Sequence, residues 1–106
     1  MKKINKNIIL GTAQFSDNYG MYNCSKPLTE KFQILDKVIH YNCHGIDTAL
    51  DYDKSQTNIG NWLSKNQYNT KIYSKIKGAR DINQMYLSFE KCLKQLKIDK
   101  LEGLLF

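Results

Sequence analysis

Cys43-His44-Gly45-Ile46-Asp47-Thr48-Ala49-Leu50-Asp51-Tyr52 opens as a short strand and runs out on a carboxylate and then a phenol. Lys71-Ile72-Tyr73-Ser74-Lys75-Ile76 repeats the design with an ammonium near its end. Strict alternation in the second segment puts Ile72, Ser74 and Ile76 on one face and Lys71, Tyr73 and Lys75 on the other. Between the two, Ser55 opens a helix with Ile59, Trp62 and Leu63 on one side, followed by a polar connection over 64–70. Strand over 43–48, helix, strand over 71–76: the spacing predicts one βαβ unit with parallel strands.

The same alternation extends in both directions. Upstream, Ile8-Ile9-Leu10 closed by Gly11-Thr12 reads as a buried parallel strand, and 17–27, with Asn18, Gly20, Asn23 and Pro27, reads as a loop. Thr29-Glu30 then starts a helix whose stripe is Leu28, Phe32, Leu35 and Ile39, widened by Ile34 and Val38. It should end near Tyr41, because Asn42 tolerates the left-handed conformation that closes a helix. Downstream of Gly78, Met85, Phe89, Cys92, Leu93 and Leu96 mark a longer helix, and 101–106 is apolar enough for a fourth strand. The order βαβαβαβ implies a parallel sheet, either open and doubly wound or part of a barrel. Gly11-Thr12-Ala13-Gln14-Phe15 lacks the glycine-rich turn that an open nucleotide-binding sheet needs after its first strand. A barrel has no such requirement and keeps its chemistry at the C-terminal ends of the strands, where Asp47 and Lys75 fall.

Composition narrows the classes further. A chain of 106 residues, 42% hydrophobic, suits one domain with a modest core. The net charge of +6 comes from lysines interleaved with acids, and Arg80 is the only arginine, which argues against a nucleic-acid reader. No apolar run approaches the ~20 residues that span a bilayer, and the basic start leads into too short an apolar segment for a signal peptide. Cys24, Cys43 and Cys92 are odd in number and widely spaced, so a reduced cytoplasmic chain is expected, without disulfides and without a zinc site. His40 falls in the last turn of the first helix and His44 at the start of the second strand, the end away from the chemistry.

Singly, Asp47 reads as a loop-start residue and Tyr52 as packing, whereas Lys75 near the end of a buried strand needs a partner such as Asp47 on the strand beside it. Jointly they read as a proton-donating site. Reducing a carbonyl requires a hydride on carbon and a proton on the developing alkoxide. A phenol, with an ordinary pKa of about 10, is a poor donor at neutral pH unless a neighbouring ammonium stabilises its phenolate.

Four segments carry a resemblance to the N-terminal part of an aldo/keto reductase. They are Leu10-Gly11-Thr12-Ala13, then Asp47-Thr48-Ala49 with Tyr52 and Ser55, then Ser74-Lys75-Ile76, and finally Ser88-Phe89, Cys92-Leu93 and Leu96 leading into Glu102-Gly103-Leu104-Leu105-Phe106. Each is weak alone; in order and at compatible spacings they span almost the whole chain. The run from Gly11 to Phe15 with Asn18-Tyr19-Gly20 further resembles a bacterial branch found beside surface-sugar genes, a hint toward sugar-related substrates.

The resemblance implies an α/β fold of parallel βα repeats, the N-terminal half of a (β/α)8 TIM barrel with about four strands and three helices, reducing an aldehyde or ketone with NADPH and without a metal. By position, Tyr52 is the proton donor, Lys75 assists it and Asp47 anchors Lys75, while Gly11, Thr12 and Asp47 border the nicotinamide end of the cofactor. The family's fourth catalytic member, a histidine, directly follows the strand matched by Leu104-Leu105-Phe106, past the last residue of this sequence. Asp53 and Gln56 stand where the family usually has glycine and glutamate, Asn42 replaces a helix-ending glycine, and Cys92 replaces a serine. Asp53 beside Tyr52 would disfavour the phenolate by like charge and so partly oppose the effect of Lys75. A complete barrel needs ~250 residues, so 1–106 is expected to be a partial domain cut after strand four, marginal in stability and inactive alone. Its rival is a non-catalytic half barrel that dimerises through its open sheet edges.

Overall fold

Four parallel strands and three helices alternate along the chain in the computed structural model, which describes residues 5–15, 27–52 and 54–106. The strands are β1 (Asn5–Gly11), β2 (Cys43–Asp47), β3 (Lys71–Lys75) and β4 (Gly103–Leu105), and the helices α1 (Leu28–His40), α2 (Ser55–Asn66) and α3 (Ile82–Leu96). The expected loop over 17–27 lies outside the described residues except for Pro27, as do Cys24 and Asp53.

The sheet runs in sequence order, β1-β2-β3-β4, and every neighbouring pair is parallel. Register fixes its two faces. Leu10, Ile46 and Ile72 align on one face, and Gly11, Asp47, Tyr73 and Gly103 align on the other. The first face packs against all three helices: Leu35 and Val38 of α1, Ile59, Trp62 and Leu63 of α2, and Leu96 of α3 form one core with Ile46 and Ile72. Ile9 and Leu105, on the second face, are exposed. Sequential strand order with the helices on one side is the layout of a barrel wall, and it excludes the doubly wound alternative.

Several boundaries move from their expected places. The first helix begins at Leu28, directly after an extended Pro27, so Thr29 lies inside its first turn. It ends as expected, with Asn42 in the left-handed region at φ 52°. The second helix continues through Ser64, Lys65 and Asn66 into the expected polar connection, because those side chains line its exposed outer side. Its end is a left-handed Gln67, after which Tyr68 folds its ring back to 5.2 Å from that of Trp62. The indole of Trp62 in turn donates to Asp36 Oδ1 of α1 at 2.8 Å, so one buried side chain joins two helices.

Gly60 lets α2 and α3 touch. A Cβ added there would run into the backbone carbonyl of Gln95 and lie 2.9 Å from Cα of Leu96. Alanine is the better helix former by about 1 kcal/mol, but overpacking of this kind costs about 1–3 kcal/mol and involves backbone that cannot step aside. Gly60→Ala is therefore expected to lower the urea midpoint, whereas Asn61→Ala, exposed on the same helix, should leave it unchanged or raise it.

Candidate active site

The β2–β3 ladder does not stop with the strands. Thr48 N–H donates to Tyr73 O at 2.8 Å and Leu50 N–H to Lys75 O at 2.9 Å, so the segment leaving β2 is held against β3 to its last residue. Two turns follow, Tyr52 N–H to Ala49 O at 3.1 Å and Ser55 N–H to Tyr52 O at 2.9 Å. These bonds leave Tyr52 little freedom, and they set it beside Lys75, whose Nζ lies over the phenol ring at 6.0 Å from its centroid. Both side chains line an open cleft of about 490 Å³ at the C-terminal edge of the sheet, together with Ala49, Asp51, Ile76 and Phe106.

Lys75 is exposed, not buried as its place in an apolar strand suggests, because no described element covers that face of the sheet. Asp47 is half-buried and lines a separate cavity of about 300 Å³ with Ile9, Gly11, Tyr73 and Leu105. The expected ion pair between Asp47 and Lys75 is not formed. Register explains this: Asp47 is aligned with Tyr73, and Lys75 lies two residues further along β3, about 7 Å away along the strand. Gly11 is the last residue of β1, and a Cβ there would meet nothing within 4 Å, so its cavity is open. Thr12 points the other way; its hydroxyl is buried and donates to Asp47 O at 2.9 Å.

The sequence pattern of the aldo/keto reductases matches residues 7–106. The chain belongs to the aldo/keto reductase family. Two solved structures assigned to aldo-keto reductases of Pseudomonas aeruginosa superpose on it with TM-scores of 0.75 and 0.72, each at 25% identity over 92% of this chain. They are covered over 41% and 39% of their own lengths, so this chain spans about two-fifths of them. No curated protein matches it. Its parallel strands and one-sided helices are βα units of the family's TIM barrel, as expected. No helix among the described residues is long and apolar enough to cross a membrane.

Gln56 and Cys92, which the sequence reading set apart from the pattern of the resemblance, meet in one buried network that the sequence did not reveal. Ser74 Oγ donates to Gln56 Oε1, and Gln56 Nε2 donates to Gln95 Oε1 at 3.0 Å. Since the single Ser74 proton is used on Gln56, the Cys92 thiol at 3.6 Å is the donor to Ser74. The available signal was Ser74 itself, a hydroxyl on the apolar face of β3. A second network uses Ser55, the first residue of α2; it does not cap the helix, since Lys54 in a left-handed turn precedes it. Ser55 donates to Thr12 Oγ1 at 3.1 Å and so must accept from Thr48 at 3.2 Å, giving a relay from Thr48 through Ser55 and Thr12 to the Asp47 carbonyl. His44, at the far end of β2, bonds the Tyr73 hydroxyl at 2.6 Å and takes no part in the cleft.

Removing the Ser55 hydroxyl takes one hydrogen bond from each of two buried threonines. Ser55→Ala is expected to destabilise the chain by about 1–3 kcal/mol, read as a fall in the urea midpoint at unchanged m value. An unchanged midpoint would show the relay to be dispensable.

Proposed function

We propose that this chain supplies the proton-donating side of an NADPH-dependent carbonyl reductase, with Tyr52 as the donor, Lys75 as the group that favours its phenolate, and Asp47, which does not reach Lys75, as a carboxylate on the cofactor side of the neighbouring strand. The observation that carries the reading is the Lys75 ammonium over the Tyr52 ring in a cleft at the C-terminal strand edge. An aldehyde or ketone seated there with its oxygen toward the phenol would receive its proton from Tyr52, and the positive charge beside the ring would stabilise what remains. Phe106 offers an apolar wall against which the carbon side of the substrate can rest. A sugar-related carbonyl compound is the substrate class we favour, on the resemblance of 11–20.

The cofactor reading is supported by the open space in front of Gly11 and by Asp47 sharing that cavity. NADPH would supply the hydride; Gly11 and Asp47 would border its nicotinamide end, and Thr12, tied to Asp47, would hold that edge in place. The free thiols of Cys43 and Cys92 suit a reduced cytoplasmic setting.

In a protein where these residues are followed by the rest of a barrel, Tyr52→Phe and Lys75→Met should each lower kcat for reduction of a test aldehyde by about 10²–10⁴-fold. Asn61→Ala should leave it unchanged, and wild-type turnover by Tyr52→Phe would end the assignment. The chain alone spans two-fifths of its structural relatives, and barrel phosphate sites are frequent in the loops after strands seven and eight. Titration calorimetry of the 106-residue chain with NADPH should accordingly show no micromolar binding; such binding would falsify this part of the reading.

A further inference from the structure

Tyr52 and Lys75 sit on a closed ring of bonds. From Lys75, its carbonyl accepts from Leu50 N–H at 2.9 Å; two residues on, the Tyr52 carbonyl accepts from Ser55 N–H at 2.9 Å. Gln56 follows Ser55, accepts from the Ser74 hydroxyl, and Ser74 precedes Lys75. Two of the three hydrogen bonds are backbone to backbone. The third is the single side-chain bond between Gln56 and Ser74, and its partners are 1% and 0% exposed. Cutting it removes the one side-chain tie between the first turn of α2 and β3 in this ring, the tie that lies on the other side of Tyr52 in sequence from the Leu50 bond.

We propose that Gln56 is a positioning residue that fixes the separation of Tyr52 and Lys75. This rests on the assignment of those two residues to the proton-donating site. Gln56 touches neither of them. Its carbonyl oxygen holds Ser74 and, through the next peptide, the start point of the Lys75 side chain, while its backbone follows the turn that carries Tyr52. The other half of its amide bonds Gln95 of α3, which braces helix against helix and lies outside the ring. The two ends of one amide thus have separable tasks: the oxygen sets the cleft, and the nitrogen adds packing stability.

That separation makes the proposal testable on the 106-residue chain without turnover. The measurement is an NMR cross-peak between the Tyr52 ring protons and the Lys75 ε-methylene, assigned with Tyr52→Phe. The wild-type chain is expected to show it. Gln56→Met, which keeps volume and removes both bonds, and Ser74→Ala, which removes the ring bond and the Cys92 contact but leaves Gln56 bonded to Gln95, should both lose it. Gln95→Met should lower the thermal midpoint yet keep the cross-peak. The proposal is overturned if Gln56→Met or Ser74→Ala folds with the cross-peak intact, if Gln95→Met loses it equally, or if the wild-type chain lacks it. Unfolding of both Gln56→Met and Ser74→Ala would also overturn it, since the bond would then hold the fold and not the pair. A folded chain behaving as expected, alongside a Tyr52→Phe variant that keeps its rate in a protein where these residues are followed by the rest of a barrel, would uphold the positioning and remove only the catalytic reading.

Discussion

Two adjacent side chains in the first turn of α2 tie that helix to three strands and to α3. Ser55 bonds Thr12 after β1 and Thr48 after β2, while Gln56 bonds Ser74 in β3 and Gln95 in α3. A helix lying on a sheet by apolar contact alone can slide, because dispersion and burial are not directional. Buried hydrogen bonds are directional, and leaving one unmade costs more than making it contributes. The first turn of α2 is thereby pinned to three strands within two residues of sequence, and Tyr52 immediately precedes that turn. All the described buried side-chain polar atoms find partners, as such an arrangement requires.

The division of the sheet into a helix-covered face and a face that no described element covers frames where the proposed chemistry can sit. Apolar alternation commits Leu10, Ile46 and Ile72 to the helices, so the residues between them, Gly11, Asp47 and Tyr73, fall on the open side by period alone. At the C-terminal edge the ladder bonds continue past the strands and carry the Tyr52 turn with them. The proposed donor therefore follows directly on backbone that is bonded to β3, and a group that must meet a substrate at hydrogen-bond distance is best held on such a support.

Much of the fold was legible because period is a property of the sequence. Ile72, Ser74 and Ile76 against Lys71, Tyr73 and Lys75 announced β3, and the stripe through Leu35, Val38 and Ile39 announced α1. Ser64 to Asn66 misled, since the outer side of a helix is as polar as a loop. The residues of the candidate site were picked out for the same reason that the family resemblance was: Asp47, Tyr52 and Lys75 fall at set places relative to strand ends. Their distances were not. Whether Asp47 reaches Lys75 depends on strand register, which places Tyr73 and not Lys75 opposite the carboxylate. The Gln56–Ser74 bond was invisible because it depends on how a helix seats on a sheet, a packing outcome that no local pattern encodes. Read alone, Gln56 is merely a neutral residue where the resemblance leads one to expect an acid.

The central claim is that Tyr52 is the group presented to the reacting carbonyl. It is tested most directly by a crystal structure of a protein carrying these residues within a whole barrel, with NADP and a carbonyl-like inhibitor bound. The account predicts an inhibitor oxygen about 2.6–3.2 Å from Tyr52 Oη, on the same side as the Lys75 ammonium and with the nicotinamide against Gly11. An inhibitor seated away from the cleft, with Tyr52 Oη facing solvent, would contradict it.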